Sequence, residues 1–276
     1  MIKLYLVVLP IITLFGAQAA DAQCTGAKGP NLLSDRGTFS APFITVNTTA
    51  AACAIAASNS FNPVENVGNA LGICDPLVST PCSEYNYTAE MLGLVPDFTY
   101  TLIKNIGDNN GGNCIKPDWR GKDHTGDGGY FMAVNGAPAN TTPPVFYQIK
   151  NIPVCSGATY ELSAWVINLL SKTSGNAKPG TEPNISFKIN GNVIVSSGPI
   201  AYNSNATWVK VVGSFTASTS LVDLQVITTA AVLIGNDFGV DDISINVCRP
   251  QPAFNAPVSL SICSGTGVTG NSIMEK

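Results

Sequence analysis

Only 12% of the 276 residues are charged, and the formal net charge is −4 with a pI near 4.9. That balance excludes the basic face nucleic-acid binding requires and leaves carboxylates for a hard cation such as calcium, an ion common outside cells. With 26 glycines and 18 prolines, the composition suits many turns and short strands rather than helices.

The chain opens with a targeting signal. Lys3 supplies a positive start, residues 4–16 are apolar, and Ala20, Asp21 and Ala22 form an A-x-A pattern that predicts cleavage before Gln23. The apolar run is shorter than the ~20 residues a membrane-spanning helix needs. Residues 1–22 therefore read as a signal peptide, and the remainder as an exported chain with no membrane insertion. About 250 residues remain, enough for one large β domain.

All eight cysteines, Cys24, Cys53, Cys74, Cys82, Cys114, Cys155, Cys248 and Cys263, follow the cleavage point. An even number in an exported chain reads as disulfides. Zinc is the competing reading, but no CxxC pair occurs and His124 is the only histidine. Cys74 and Cys82 are close enough to clip one loop. Cys155 and Cys248 are equally open to each other and to other partners.

Along the chain, residues 31–39 read as a first strand. The segment 47–96 reads as a disulfide-clipped loop insertion, its Ala-rich part at 48–58 a short helix. Alternating, β-branched or aromatic runs then predict strands at 98–103, 130–134, 145–149, 160–167, 184–189, 193–195, 208–212, 214–216, 222–227 and 243–247. Asn135 with Gly136 and Asn190 with Gly191 are turn pairs, the second predicting a type I′ hairpin. Short strands with no helical period between them indicate antiparallel sheets packed face to face. The sandwich is expected over 23–249, with residues 250–276 a Pro-rich linker and the start of a further module.

Two motifs carry chemistry. DHTGDGGY at 123–130 is a Gly-rich acidic loop that runs into a strand, and GNDFGVDDISI at 235–245 places Asp241 and Asp242 at a strand entry. Successive strand residues point to opposite faces, so one of the pair is expected to point inward. A buried carboxylate needs a cation or several hydrogen-bond donors. Calcium bound there, or capping of backbone N–H groups at a bend, both satisfy it. Asp123 and Asp127 either hold an ion or make Asx turns.

The ordered set formed by Trp119, DHTGDGGYFMAVN at 123–135, CSGATYELSAWVIN at 155–168, Thr207 with Trp208, and the 235–245 motif with Cys248 resembles a module of secreted Bacteroidetes surface proteins associated with gliding motility. It is similar, more distantly, to MAM domains and family 4/9-type carbohydrate-binding modules. The resemblance covers roughly residues 98–250. It implies a galactose-binding-like jelly roll and a structural calcium joining the first-strand region, at Asp35 or nearby carbonyls, to Asp241 or Asp242.

Sugars stack on exposed rings, so the aromatic residues are the other lever. Trp165 and Trp208 fall in strong strands and read as core. Trp119 sits in a polar loop among Lys116, Asp118, Arg120 and Lys122 and is the first candidate for ligand contact, with Tyr130, Tyr147 and Tyr202 behind it; a loop Trp that packs on its own insertion is the equal alternative. An enzyme is not expected: His124 lies in a turn motif and the chain has no GxSxG elbow. The expected function is a monomeric, secreted, non-catalytic binding or adhesion module for a glycan or a cell-surface protein. The alternatives are a structural spacer of a surface protein and an accessory domain of a glycoside hydrolase.

Overall fold

The computed structural model describes residues 24, 26–39, 83–87, 97–103, 105–107, 118–126, 129–136, 145–202, 205–230, 232 and 234–249. The expected signal segment, the expected Ala-rich helix, Asp127 and the tail after Arg249 lie outside them. No helix among the described residues is long and apolar enough to cross a membrane.

The chain is an antiparallel β-sandwich. Its elements are β1 (Lys28–Asn31), α1 (Asp35–Thr38), β2 (Asn86–Tyr87), β3 (Thr99–Ile103), β4 (Asn105–Gly107), β5 (Gly121–Lys122), β6 (Phe131–Asn135), β7 (Val145–Pro153), β8 (Thr159–Asn168), β9 (Asn184–Ile189), β10 (Asn192–Pro199), β11 (Val209–Thr216), β12 (Leu221–Thr228) and β13 (Phe238–Cys248). The larger sheet runs β11-β8-β13-β6-β3-β2, with β1 added on β13, and the smaller runs β10-β9-β12-β7. Among the described residues only the two-residue β2–β3 pairing is parallel.

Period-2 burial puts one face of each sheet into a shared core. Leu162, Ala164 and Val166 of β8, Val240, Ile243 and Ile245 of β13, and Phe187, Leu224 and Val226 of the smaller sheet meet there. The β9–β10 hairpin forms as its turn pair requires, with Asn190 at φ 49 and Gly191 at φ 80, the two positive values of a type I′ turn.

The first strand is displaced from its expected place. It ends at Asn31, and the chain then turns into α1, where Gly37 lies so close to β13 that a side chain there would strike the Ile243 carbonyl. Val209 to Thr216 is one continuous strand rather than two. Of the segment 47–96 only residues 83–87 are described; within it Tyr85 is fully buried in the core and stacks on Phe98 at 4.6 Å.

The two ends of the sandwich are fastened together. Cys24 is disulfide-bonded to Cys248, 224 residues away, which settles Cys248 against a bond to Cys155; Cys155 is disulfide-bonded as well. Beside this staple, Lys28 forms an ion pair with the buried Glu161 of β8, and the Cys24 N–H donates to the same carboxylate. Closing so long a loop constrains the unfolded chain strongly. Replacing Cys24 and Cys248 together by serine is expected to cost about 2–5 kcal/mol and to lower the melting temperature by roughly 4–20 °C. Calorimetry of variant and parent measures this, and an unchanged midpoint would show that the staple adds nothing.

Candidate functional site

The two aspartates sit in a β-bulge. Pairing of β13 with β8 shifts register between Asp241 and Ser244, and Asp242 adopts φ 49, a left-handed conformation that Asp tolerates better than most residues. The extra residue changes the phase of the strand: Phe238 and Val240 face the core before it, Ile243 and Ile245 after it. Strict alternation would have driven Asp242 into the core. The expectation that one aspartate points inward is thereby corrected, because both turn to the outer side and meet the 123–126 loop.

Asp241 is fully buried there. Its Oδ2 accepts the His124 N–H at 3.0 Å and its Oδ1 the Asp242 N–H at 2.8 Å. Asp242 is bonded to His124 Nδ1 through Oδ2 at 2.7 Å and accepts the Thr125 hydroxyl through Oδ1 at 2.8 Å. Asp123 accepts the Gly126 N–H, three residues on, through Oδ2 at 2.8 Å, while its Oδ1 is buried without a hydrogen-bond partner. Backbone capping at a bend thus accounts for Asp241. Among the described residues no three His, Cys, Asp or Glu side chains are grouped as metal ligands. Asp35 begins α1, but its side chain, like all of Asp127, lies outside the described residues.

Loss of solvation, then the neighbouring Asp242 charge and more weakly Asp123, push the Asp241 carboxyl up to about 9; the two N–H donors oppose this.

Above this cluster lies an aromatic group. The His124 ring stacks on Trp165 at 4.0 Å and meets Trp208 edge-on at 5.7 Å. Trp208 Nε1 donates to the Lys122 carbonyl at 3.0 Å, and Lys210 Nζ lies 6.0 Å from the centre of the Trp165 ring. Both tryptophans are half-buried. The assignment of Trp165 as a core residue is therefore reversed, whereas Trp208 packs against an apolar cluster outside the main core. A signal for Trp165 exists in the sequence, since it shares its face of β8 with Glu161 and Ser163, while Leu162, Ala164 and Val166 take the core.

Trp119 takes its packing alternative rather than the ligand-contact one. It is fully buried, its Nε1 donates to Asp237 Oδ2 at 3.0 Å, and it packs with Ile103, Phe131, Ile167 and Leu169 in a second apolar cluster on the outside of the larger sheet. Gly239 makes room beneath it, since a Cβ there would come within 2.7 Å of Ile167 and 3.1 Å of Phe131. Tyr130 is also buried, and Tyr147 lies in the main core with its hydroxyl donating to the Arg36 carbonyl at 2.9 Å. Tyr202 is half-buried, its hydroxyl paired with Thr181 and donating to the Gly235 carbonyl at 3.0 Å. These four rings do not form a shared platform.

The outer face of β11, β8 and β13 presents three rows of aligned side chains. Lys210, Trp165 and Asp241 form one, Val212, Ser163 and Ser244 the next, and Ser214, Glu161 and Asn246 the third. Ser163, Ser214, Ser244 and Asn246 are half-exposed, and Ser163 Oγ is 2.8 Å from Ser244 Oγ. With strands ~4.8 Å apart and alternate residues ~6.7 Å apart, the patch measures roughly 10 by 13 Å. Thr125, the hydroxyl next to His124, is engaged by Asp242.

No protein-family model matches this chain, and no curated protein matches it. Solved structures to which parts of this chain are similar include the sugar-binding C-terminal domain of EclA, 20% identical, covering 37% of this chain and 67% of that one with a TM-score of 0.31. The CBM22-1 and GH10 modules of a Clostridium thermocellum xylanase, complexed with xylohexaose, are 14% identical; the match covers 54% of this chain and 24% of theirs, with a TM-score of 0.32. A Stig cyclase from Fischerella is 10% identical over 80% of this chain and 98% of its own, with a TM-score of 0.41. Likenesses this slight say nothing about what this chain binds.

The Asp241 shift has a consequence for stability. Its carboxyl rises from 3.8 to about 9 on folding, so the native state holds a proton that the unfolded state releases. Its contribution is fully present below about pH 4 and is lost as pH rises toward 9. The melting temperature is expected to fall between pH 5 and pH 8, and Asp241→Asn to flatten that slope. Equal slopes in the two proteins would remove Asp241 as its source.

Proposed function

We propose that this chain is a secreted, non-catalytic module that binds carbohydrate on the outer face of β11, β8 and β13. The observation that carries the reading is the placement of half-exposed Trp165 and Trp208, bracketing His124, beside rows of serine and asparagine side chains on one rigid sheet. Rings offer an apolar surface to the C–H face of a sugar, and short hydroxyl and amide groups match its hydroxyls. A patch of this size takes about two or three pyranose rings. The disulfides favour an oxidising, extracellular setting.

A glycan array probed with the full chain, and repeated with Trp165→Ala and Trp208→Ala, tests the reading. Specific binding that weakens at least tenfold in either variant, and is kept in Val193→Ala on the other sheet, is the expected result. Absence of binding to any glycan would leave the spacer or protein-adhesion role instead.

Calcium is a separate proposal. Asp123 Oδ1 is a buried oxygen without a partner, the kind of atom a hard cation takes. Five of the six oxygens of Asp123, Asp241 and Asp242 are, however, already engaged, and calcium needs six to eight ligands. The described residues alone do not form its cage, so Asp35, Asp127 or carbonyl groups would have to complete it. A melting temperature that rises with millimolar calcium and falls with EDTA would support the ion. Superimposable melts would eliminate it.

A further inference from the structure

We infer that the carbohydrate taken by this face carries an acidic group, a uronate carboxylate or a sulfate ester, held by Lys210; this rests on the binding reading above. Among the described residues of the patch, the carboxylates are already engaged or buried. Glu161 is neutralised by Lys28, and Asp242 faces His124 and Thr125. Asp241 is buried beneath the rings, and Asp123 turns one oxygen into its own loop and buries the other.

Lys210 is exposed on β11, and no carboxylate among the described residues pairs with it. Its ammonium lies 6.0 Å from the centre of the Trp165 ring. Strand register sets it directly beside Trp165, so a sugar resting on the aromatic group lies within reach of the ammonium. Lys122, exposed on the adjoining β5, adds positive charge at the same end, since its carbonyl anchors Trp208. A neutral glycan would leave this ammonium without a counter-charge, whereas an anionic one gains a charge-assisted hydrogen bond. In a chain of net charge −4, general attraction to anions does not supply that preference.

Calorimetric titration of the full chain with polygalacturonate oligomers, their methyl esters, and sulfated and desulfated polysaccharide pairs tests the inference. The acidic member of at least one pair is expected to bind about tenfold tighter than its neutral counterpart. Lys210→Met should abolish that preference, Lys210→Arg should keep it, and ~1 M salt should erase it. Trp165→Ala should weaken both members equally. Equal affinity for charged and neutral forms, or an unchanged preference in Lys210→Met, would overturn the acidic-ligand inference and leave carbohydrate binding standing. Failure of every glycan, acidic or neutral, would overturn both.

Discussion

Two adjacent carboxylates in the middle of a core strand are a problem that this fold solves with one extra residue. A charged side chain driven into the space between two sheets costs far more than a packed hydrophobe returns. The bulge at Asp242 shifts the strand by half its repeat, so that Val240 and Ile243 both face the core while both aspartates face out. The aspartates then serve as the frame of the 123–126 loop, accepting its His124 N–H and Thr125 hydroxyl and pairing with the His124 imidazole. The position of His124 over Trp165 follows from that frame.

The place of the bulge in the sheet matters as much as its geometry. β6 pairs with β13 only as far as Val240, and β1 takes up pairing again at Asn246. Between them the edge of β13 is open to loops and to α1, whose Gly37 approaches the Ile243 carbonyl. The disulfide and the Lys28–Glu161 pair hold β1 against the far end. Strand pairing, bulge and staple together fix a stiff outer face on which side chains stand in aligned rows.

That outer face is divided between two uses. At one end it is sealed by the second apolar cluster, where Trp119, Phe131 and Ile167 pack beneath the 118–122 segment. Across β11, β8 and β13 it remains half-open, with the aromatic group at the boundary. Trp208 belongs to both regions, since its ring packs edge-on against Phe131 at 5.5 Å as well as against His124. The sealed end supports the open one: packing against Phe131 helps to position the Trp208 ring.

Strand periodicity and turn pairs determined the antiparallel sandwich, because alternation and Asn-Gly turns are local properties of the chain. The 184–189 strand and its hairpin turn are legible residue by residue for that reason. Which tryptophan is buried was not local. A polar sequence around Trp119 suggests a surface loop, but the backbone lies on the outside of a sheet that offers Ile103, Phe131 and Leu169 to cover the ring. The outward direction of Trp165 was readable from Glu161 and Ser163 on its own face; that Trp208 and His124 would join it was not, because they come from separate segments. The partners of Asp241 and Asp242 were likewise decided in three dimensions, since a single residue of phase, invisible to a period-2 count, determines which side of the sheet a charge must occupy.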